Sequence, residues 1–196
     1  MKTKQKQFAE LKASLNINES LTKGRNKTTK LYNKVKENIP LVEDYNFQAD
    51  LLFLPFTKEK YRYLLTMVDL ATDEIDFEEI KDKEPSTVLK AMKTIFKWPH
   101  LNKPYASIRT DAGNEFKGIY QNYLQENNIL HKASLPGRHR QTANVENVNR
   151  ILAKFLNGYM NSKEISTGKP YREWVEILKK LRIELNKIRK RKLSKQ

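Results

Sequence analysis

Cysteine is absent from this sequence of 196 residues, and histidine occurs only three times, as His100, His131 and His139. Disulfide bonds are therefore excluded, and so are zinc sites built on cysteine. The three histidines are not spaced like the ligands of a metal cluster. A divalent metal would have to be held by oxygen ligands, which suit Mg²⁺ or Mn²⁺.

Long apolar runs are also missing. No stretch of about 18 consecutive apolar residues occurs, so the sequence predicts no transmembrane span. The basic N-terminal segment has no apolar run after it, unlike a secretory signal. No basic segment carries a strong apolar face with aromatic anchors, and a membrane is therefore not the expected partner.

Positive charge is abundant, with a formal net charge of +15, and it is unevenly distributed. Residues 1–40 carry ten Lys and Arg against three Asp and Glu (+7), residues 41–146 carry 14 against 16 (−2), and residues 147–196 carry 14 against four (+10). A near-neutral centre between two basic arms is typical of a catalytic core with nucleic-acid-binding extensions. The alternative is a lysine-rich composition with ordinary solvated helices, because lysine outnumbers arginine 28 to 10.

Hydrophobic periodicity predicts a short N-terminal helix at 5–16 and then the order β-β-β-α-β-α-β-α-α. Three strands that meander and then alternate with helices indicate an α/β fold with a mixed five-stranded sheet flanked by helices. We expect three parts: a basic N-terminal helix and arm (1–40), a core (41–162) and a C-terminal basic helix that completes or extends the core (163–196).

Three acids stand out by their positions. Asp50 lies inside the first apolar strand, where an unpaired charge is costly. Asp111 ends the strand ASIRTD, and Glu146 lies in the first turn of the long helix, beside its apolar stripe. Each has an ordinary explanation as well: a paired strand acid, a turn-forming aspartate and an acid favoured by the helix dipole. Together they form the set of convergent carboxylates that two-metal phosphoryl transfer requires.

The motifs around these acids resemble the catalytic core of the retroviral-type DDE integrase and transposase family. The matching segments are FQADLLFL, YRYLLTMVDLAT, IRTDAGNEF and ANVENVNRILAKF, in that order. Between Asp111 and Glu146 stand 34 residues, close to the family spacing. The resemblance covers about residues 45–185 and is greatest to integrases of retroelements and of virus-like DNA transposons. Ala143 and Asn144 stand where the family often has a small glycine.

The resemblance implies a ribonuclease-H-like fold and metal-dependent DNA end cleavage and strand transfer. It makes Asp50, Asp111 and Glu146 the ligands of two Mg²⁺ or Mn²⁺ ions. It also implies double-stranded DNA as partner (element ends and target), a homodimer or higher oligomer, and a location in the nucleus or a viral particle or factory. The basic side chains near the acids are the expected DNA contacts: Arg138, His139, Arg140, Arg150 and Lys154.

Other functions stay open at this point: a non-catalytic or domesticated DNA-binding module of the same fold, a ribonuclease-H-like nuclease that only hydrolyses, and a basic packaging protein. Two structural expectations accompany them. The acidic run at 73–84 predicts a solvated edge strand, and Phe53, Phe56, Tyr61 and Tyr63 are expected in the sheet core rather than as a stacking surface for bases.

Overall fold

A computed structural model describes residues 3–17, 42–134 and 139–190, without the side chains of His139 and Arg140. The arm predicted within residues 1–40 lies outside the described residues from residue 18 onwards. The strands are β1 (Asn46–Phe53), β2 (Tyr63–Asp69), β3 (Ile75–Ile80), β4 (Ser107–Thr110) and β5 (Leu130–Ala133). The helices are α1 (Lys4–Ser14), α2 (Pro85–Ile95), α3 (Ile119–Glu126), α4 (Ala143–Thr167) and α5 (Leu178–Arg189).

The strands form one mixed sheet in the order β3-β2-β1-β4-β5. The pairs β1–β2 and β2–β3 are antiparallel, whereas β4 runs parallel to both β1 and β5. The element order and the mixed five-stranded sheet agree with the sequence prediction, which is therefore confirmed. Placing β4 beside β1 brings the strand that contains Asp50 next to the strand that Asp111 follows.

Apolar side chains cover both faces of the sheet. On one face α2 and α3 pack against the odd-numbered positions of β1, with Phe47 and Met92 fully buried. On the other face α4 and α5 pack with α1 around Leu64, Val68 and Trp174. Because residues alternate along a strand, Gln48 and Asp50 point towards the α4 side. No helix in the described parts of the chain is long and apolar enough to cross a membrane.

β3 is an edge strand, as expected. The expectation that this edge is solvated is wrong, because α5 covers it. Asn186 on α5 accepts the N–H of Ile75 and donates to its carbonyl, at 2.8 and 2.7 Å. Arg182 lies 2.6 Å from Asp76, whose side chain is wholly buried. Asp76 therefore pairs with a cation from α5, whereas Asp82 and Glu84 are exposed to solvent. Where α5 packs, the edge of β3 is covered.

Candidate active site

Asp50 on β1 lies level with Asp111, which directly follows the neighbouring parallel strand β4. The register of β1 and β4 pairs Gln48 with Arg109, so two residues further along the strands the positions are Asp50 and Asp111. The carboxyl ends of parallel strands meet at one edge of a sheet, which is where ligands of open α/β sheets bind. Asp111 is exposed there and its carboxylate accepts the N–H of Gly113 at 3.1 Å, forming a turn.

Glu146 reaches the same edge from the first turn of α4. Its carboxylate accepts the hydroxyl of Thr142 at 2.7 Å. Gln48 fixes the start of this helix to β1: its side-chain oxygen accepts the N–H of Val145 at 3.1 Å, and its amide donates to the carbonyl of Gln141 at 2.9 Å. Because Gln48 is two residues from Asp50, these bonds hold the start of α4 beside the aspartate.

The three carboxylates interact electrostatically. The pKa of Asp50 rises from 3.8 to about 6, mainly because burial disfavours its charged form, and the negative charges of Asp111 and Glu146 raise it further. The N–H of Leu51 and the amide of Asn149 each donate to Asp50 at 2.9 Å and oppose this increase. The charge of Asp50 is therefore disfavoured unless a cation is near.

The donor chemistry of these side chains fits a hard divalent cation, because carboxylate oxygens are the ligands that Mg²⁺ and Mn²⁺ prefer. A cation would also offset the mutual repulsion. In the described part of the chain, no three acidic or histidine side chains lie close enough together to hold a metal. Instead, Asp50 accepts a hydrogen bond from Asn149, Asp111 from Gly113 and Glu146 from Thr142. Carboxylates of like charge favour such separate positions.

The predicted DNA contacts are only partly described. Arg150 and Lys154 are exposed on α4, four and eight residues after Glu146, and therefore lie on roughly the same helix face. Arg150 donates to Asn147, and Lys154 lines a cavity of about 350 Å³ between α4 and α1. His139 begins a short 3₁₀ turn (His139–Thr142), which also contains Arg140. Arg138 lies outside the described residues.

Sequence reasoning missed the residues that support the acids. Gln48, Asn149 and Thr142 all touch the site or the helix that carries it. Two of them show a sequence signal in hindsight. Gln48 shares a strand face with Asp50, and Asn149 lies one helical turn after Glu146, so each is a polar residue on a face that otherwise packs against the core.

Comparisons with known proteins agree with this geometry. Residues 43–139 match the family model described as the integrase core domain, a match that includes Asp50 and Asp111 and ends before Glu146. No curated protein sequence matches the chain.

Solved structures share the fold. The HTLV-2 integrase catalytic core domain in complex with magnesium, in its trimeric form, superposes with a TM-score of 0.56 at 22% identity over 72% of this chain and 84% of that one. Its dimeric form superposes with a TM-score of 0.55 at 22% identity, over 71% of this chain and 84% of that one. A simian T-cell lymphotropic virus intasome in complex with PP2A regulatory subunit B56 gamma superposes with a TM-score of 0.60 at 18% identity. The match covers 87% of this chain and 58% of that one.

The family match and the shared sheet topology agree with the resemblance inferred from the sequence motifs. Residues 43–139, just under half of the chain, therefore match the integrase core domain, and the chain shares the ribonuclease-H-like fold of retroviral integrase catalytic cores.

Proposed function

We propose that this protein is a DNA integrase or transposase core that cleaves DNA ends and joins the resulting 3′-hydroxyl to target DNA. The observation that carries the proposal is the placement of Asp50 on β1 level with Asp111, which directly follows the adjacent parallel strand β4, with Asp111 and Glu146 both raising the pKa of the Asp50 carboxyl. Three carboxylates at one open sheet edge supply the ligands that two-metal phosphoryl transfer requires, once the side chains turn from their hydrogen-bond partners towards a cation.

In this proposal Asp50, Asp111 and Glu146 hold two Mg²⁺ or Mn²⁺ ions. When bound, the ions supply activation of the attacking oxygen and stabilisation of the leaving oxygen. The chain's own residues do the positioning: Asn149 and the N–H of Leu51 orient the Asp50 carboxylate, and Gln48 fixes the helix that carries Glu146.

Basic side chains would hold the DNA over the acids. Arg150 and Lys154 continue the helix face that begins at Glu146, and Arg138, His139 and Arg140 precede that helix. Guanidinium and ammonium groups bind phosphate by charge-assisted hydrogen bonds. The arm at 1–40 and the C-terminal basic segment at 163–196 would add further cationic contacts to the DNA phosphates.

The protein would assemble as a homodimer or a higher oligomer on double-stranded DNA. That DNA would comprise the element ends and the target. The structural neighbours support this: the HTLV-2 core occurs in dimeric and trimeric forms with magnesium, and the simian viral protein occurs in an intasome. A nucleus, viral particle or viral factory is the corresponding location.

The test is incubation of the protein with labelled double-stranded DNA and Mn²⁺ or Mg²⁺, followed by separation of nicked and joined products. Asp111→Asn removes one proposed ligand, and Asp82→Asn is a matched control. Both aspartates are exposed and accept the N–H two residues later, at 3.1 and 3.0 Å. Metal-dependent products that disappear only in Asp111→Asn support the proposal.

Other outcomes point to the alternatives. Metal-dependent nicking without joined products would favour a ribonuclease-H-like nuclease. DNA binding without any product, with every metal and with DNA of several end sequences, would favour a non-catalytic DNA-binding module.

A further inference from the structure

An exposed group of aromatic side chains lies where β1 and β2 meet at their loop. We name Phe53, Phe56, Arg62 and Tyr63 the aromatic platform. The rings of Phe53 and Phe56 are 58% and 52% exposed, so the expectation that they belong to the sheet core is wrong. Phe53 ends β1 and Phe56 lies in the loop after it, whereas Phe47 and Leu51, earlier on the same strand face, pack with α2.

The platform is preorganised. The guanidinium of Arg62 lies 4.3 Å from the ring centroids of both phenylalanines. Tyr63 pairs with Phe53 across the strands, and their rings make an edge contact at 5.4 Å. The N–H of Leu54 donates to the carbonyl of Arg62 at 2.9 Å, so a backbone hydrogen bond joins the two ends of the loop beside the rings. Little rotamer freedom would therefore be lost when a ligand binds.

The loop that carries part of the platform has an excess of positive charge, although the carboxylate of Glu173 lies beside it and accepts the N–H of Lys58 at 3.1 Å. The loop that joins the two strands carries Lys58, Lys60 and Arg62 against Glu59, a balance of +2, and both lysines are exposed. The Nε atom of Arg62 is buried and makes no hydrogen bond within the described residues. The guanidinium thus serves mainly as a flat cation held between rings.

The platform is also close to the acids along the chain. Phe53 follows Asp50 by three residues on the same strand, a Cα–Cα distance of roughly 10 Å at the usual rise of a β-strand, and the two side chains point to opposite faces of the sheet. A DNA strand held at the carboxylates would reach the platform by passing around the end of the β1–β2 hairpin, within a few nucleotides.

We infer that the aromatic platform binds unpaired nucleotides of a DNA strand, with bases stacked on Phe53 and Phe56 and phosphates near Lys58 and Lys60. Exposed aromatic rings beside cations are the chemistry by which proteins bind single strands, because every base has a π-face. Bases stacked within a duplex do not offer that face. The inference rests on the proposed function, since it names the form of DNA that the same edge of the sheet accepts.

The test uses the full chain with EDTA and no metal, so that no cleavage occurs. The probe is a thymidine oligonucleotide that carries one 2-aminopurine, whose fluorescence is quenched by stacking, and a blunt duplex is the comparison. Phe53→Ala and Phe56→Ala should each weaken single-strand binding by about tenfold, as expected for the loss of one stacked base. Duplex binding should stay unchanged.

Tyr105→Ala is the matched control, because Tyr105 is 73% exposed and lies before β4, at the other end of the sheet. It should leave both affinities unchanged. Phe53→Tyr keeps the ring and should retain single-strand binding and quenching even if the alanine variants fold poorly.

Equal weakening of single-strand and duplex binding in the alanine variants would overturn the inference, and so would unchanged quenching. A change of oligomeric state in Phe53→Ala or Phe56→Ala, measured by light scattering, would show instead that a second copy covers the platform. Failure of the proposed catalysis is read separately, because it appears in the metal-dependent assay while single-strand binding in EDTA persists.

Discussion

The side-chain oxygen of Gln48 accepts the backbone N–H of Val145 at 3.1 Å, although the two residues are 97 positions apart in the chain. The bond is buried and satisfies one of the N–H groups that every helix leaves unpaired in its first turn. It joins the strand that carries Asp50 to the helix that carries Glu146. The relative position of the two acids therefore depends on a neutral amide that belongs to neither.

Replacing Gln48 with leucine should destabilise the fold by about 1–3 kcal/mol, because the N–H of Val145 would remain buried without a partner. Urea denaturation measures this change. Gln125→Leu is the control, since Gln125 is exposed on α3, and it should change the free energy of unfolding by less than about 0.5 kcal/mol. Equal stabilities of Gln48→Leu and the unmodified protein would contradict the role given to this bond.

Asp50 should make stability depend on pH when no metal is present. Its pKa in the folded protein, about 6, is raised above the ordinary 3.8. Below pH 3.8 the carboxyl is neutral in both states, and stability falls as the pH rises through about 6 because the folded protein must then hold a disfavoured charge. In EDTA, Asp50→Asn should therefore gain stability over the unmodified protein by on the order of 3 kcal/mol at pH 7.

Denaturant titrations from pH 4 to pH 7 measure this difference. It should be small at pH 4 and grow through pH 6. Added Mg²⁺ should reduce it at pH 7, because a cation near the charged carboxylate stabilises only the protein that retains Asp50. A difference that is constant across this range would show that burial of Asp50 does not disfavour its charge.

The sequence predicted the elements and their order because helices and strands differ in the period of their apolar residues. Asp50 could be singled out because a charge inside an apolar strand is unusual, and Asp111 and Glu146 because they lie at a strand end and at a helix start. The bonds that support them could not be predicted. Asn149 donates to Asp50 across 99 residues, and Arg182 pairs with Asp76 across 106, and no local pattern carries such distances.

The two wrong structural expectations have a common cause. Aromatic residues in a strand predict a core position, and acids in a strand predict a solvated edge, only if the neighbouring layer is known. Phe53 lies beyond the helix that covers its strand face, and β3 lies beneath α5. Which helix covers which part of the sheet is decided by tertiary packing rather than by the strand's own residues.

Arg182 should be among the most important charged residues for stability. Its guanidinium lies 2.6 Å from the wholly buried Asp76 and donates to the carbonyl of Phe77, also at 2.6 Å. Arg182→Met would leave an uncompensated buried carboxylate and should cost about 3–5 kcal/mol. Urea denaturation measures the loss.

Two variants test the explanation for Arg182. Lys187→Met removes an exposed cation that pairs with Glu184 on the same helix, and it should change stability by less than about 1 kcal/mol. Adding Asp76→Asn to Arg182→Met should recover part of the loss, because the buried charge is then absent. If the double variant were as unstable as the two single losses added together, the charge pair would not be the cause.

Arg150 should contribute to DNA affinity without sequence preference, because it is an exposed cation one turn after Glu146. Arg150→Ala should weaken duplex binding and reduce the slope of log affinity against log salt by about 1, the value for one lost phosphate contact. The measurement is fluorescence anisotropy over a series of salt concentrations. Arg172→Ala is the matched control: Arg172 is also exposed, but it follows the far end of α4 and pairs with Glu164, so the slope should stay unchanged. An equal reduction in both variants would assign the effect to net charge rather than to a DNA path along α4.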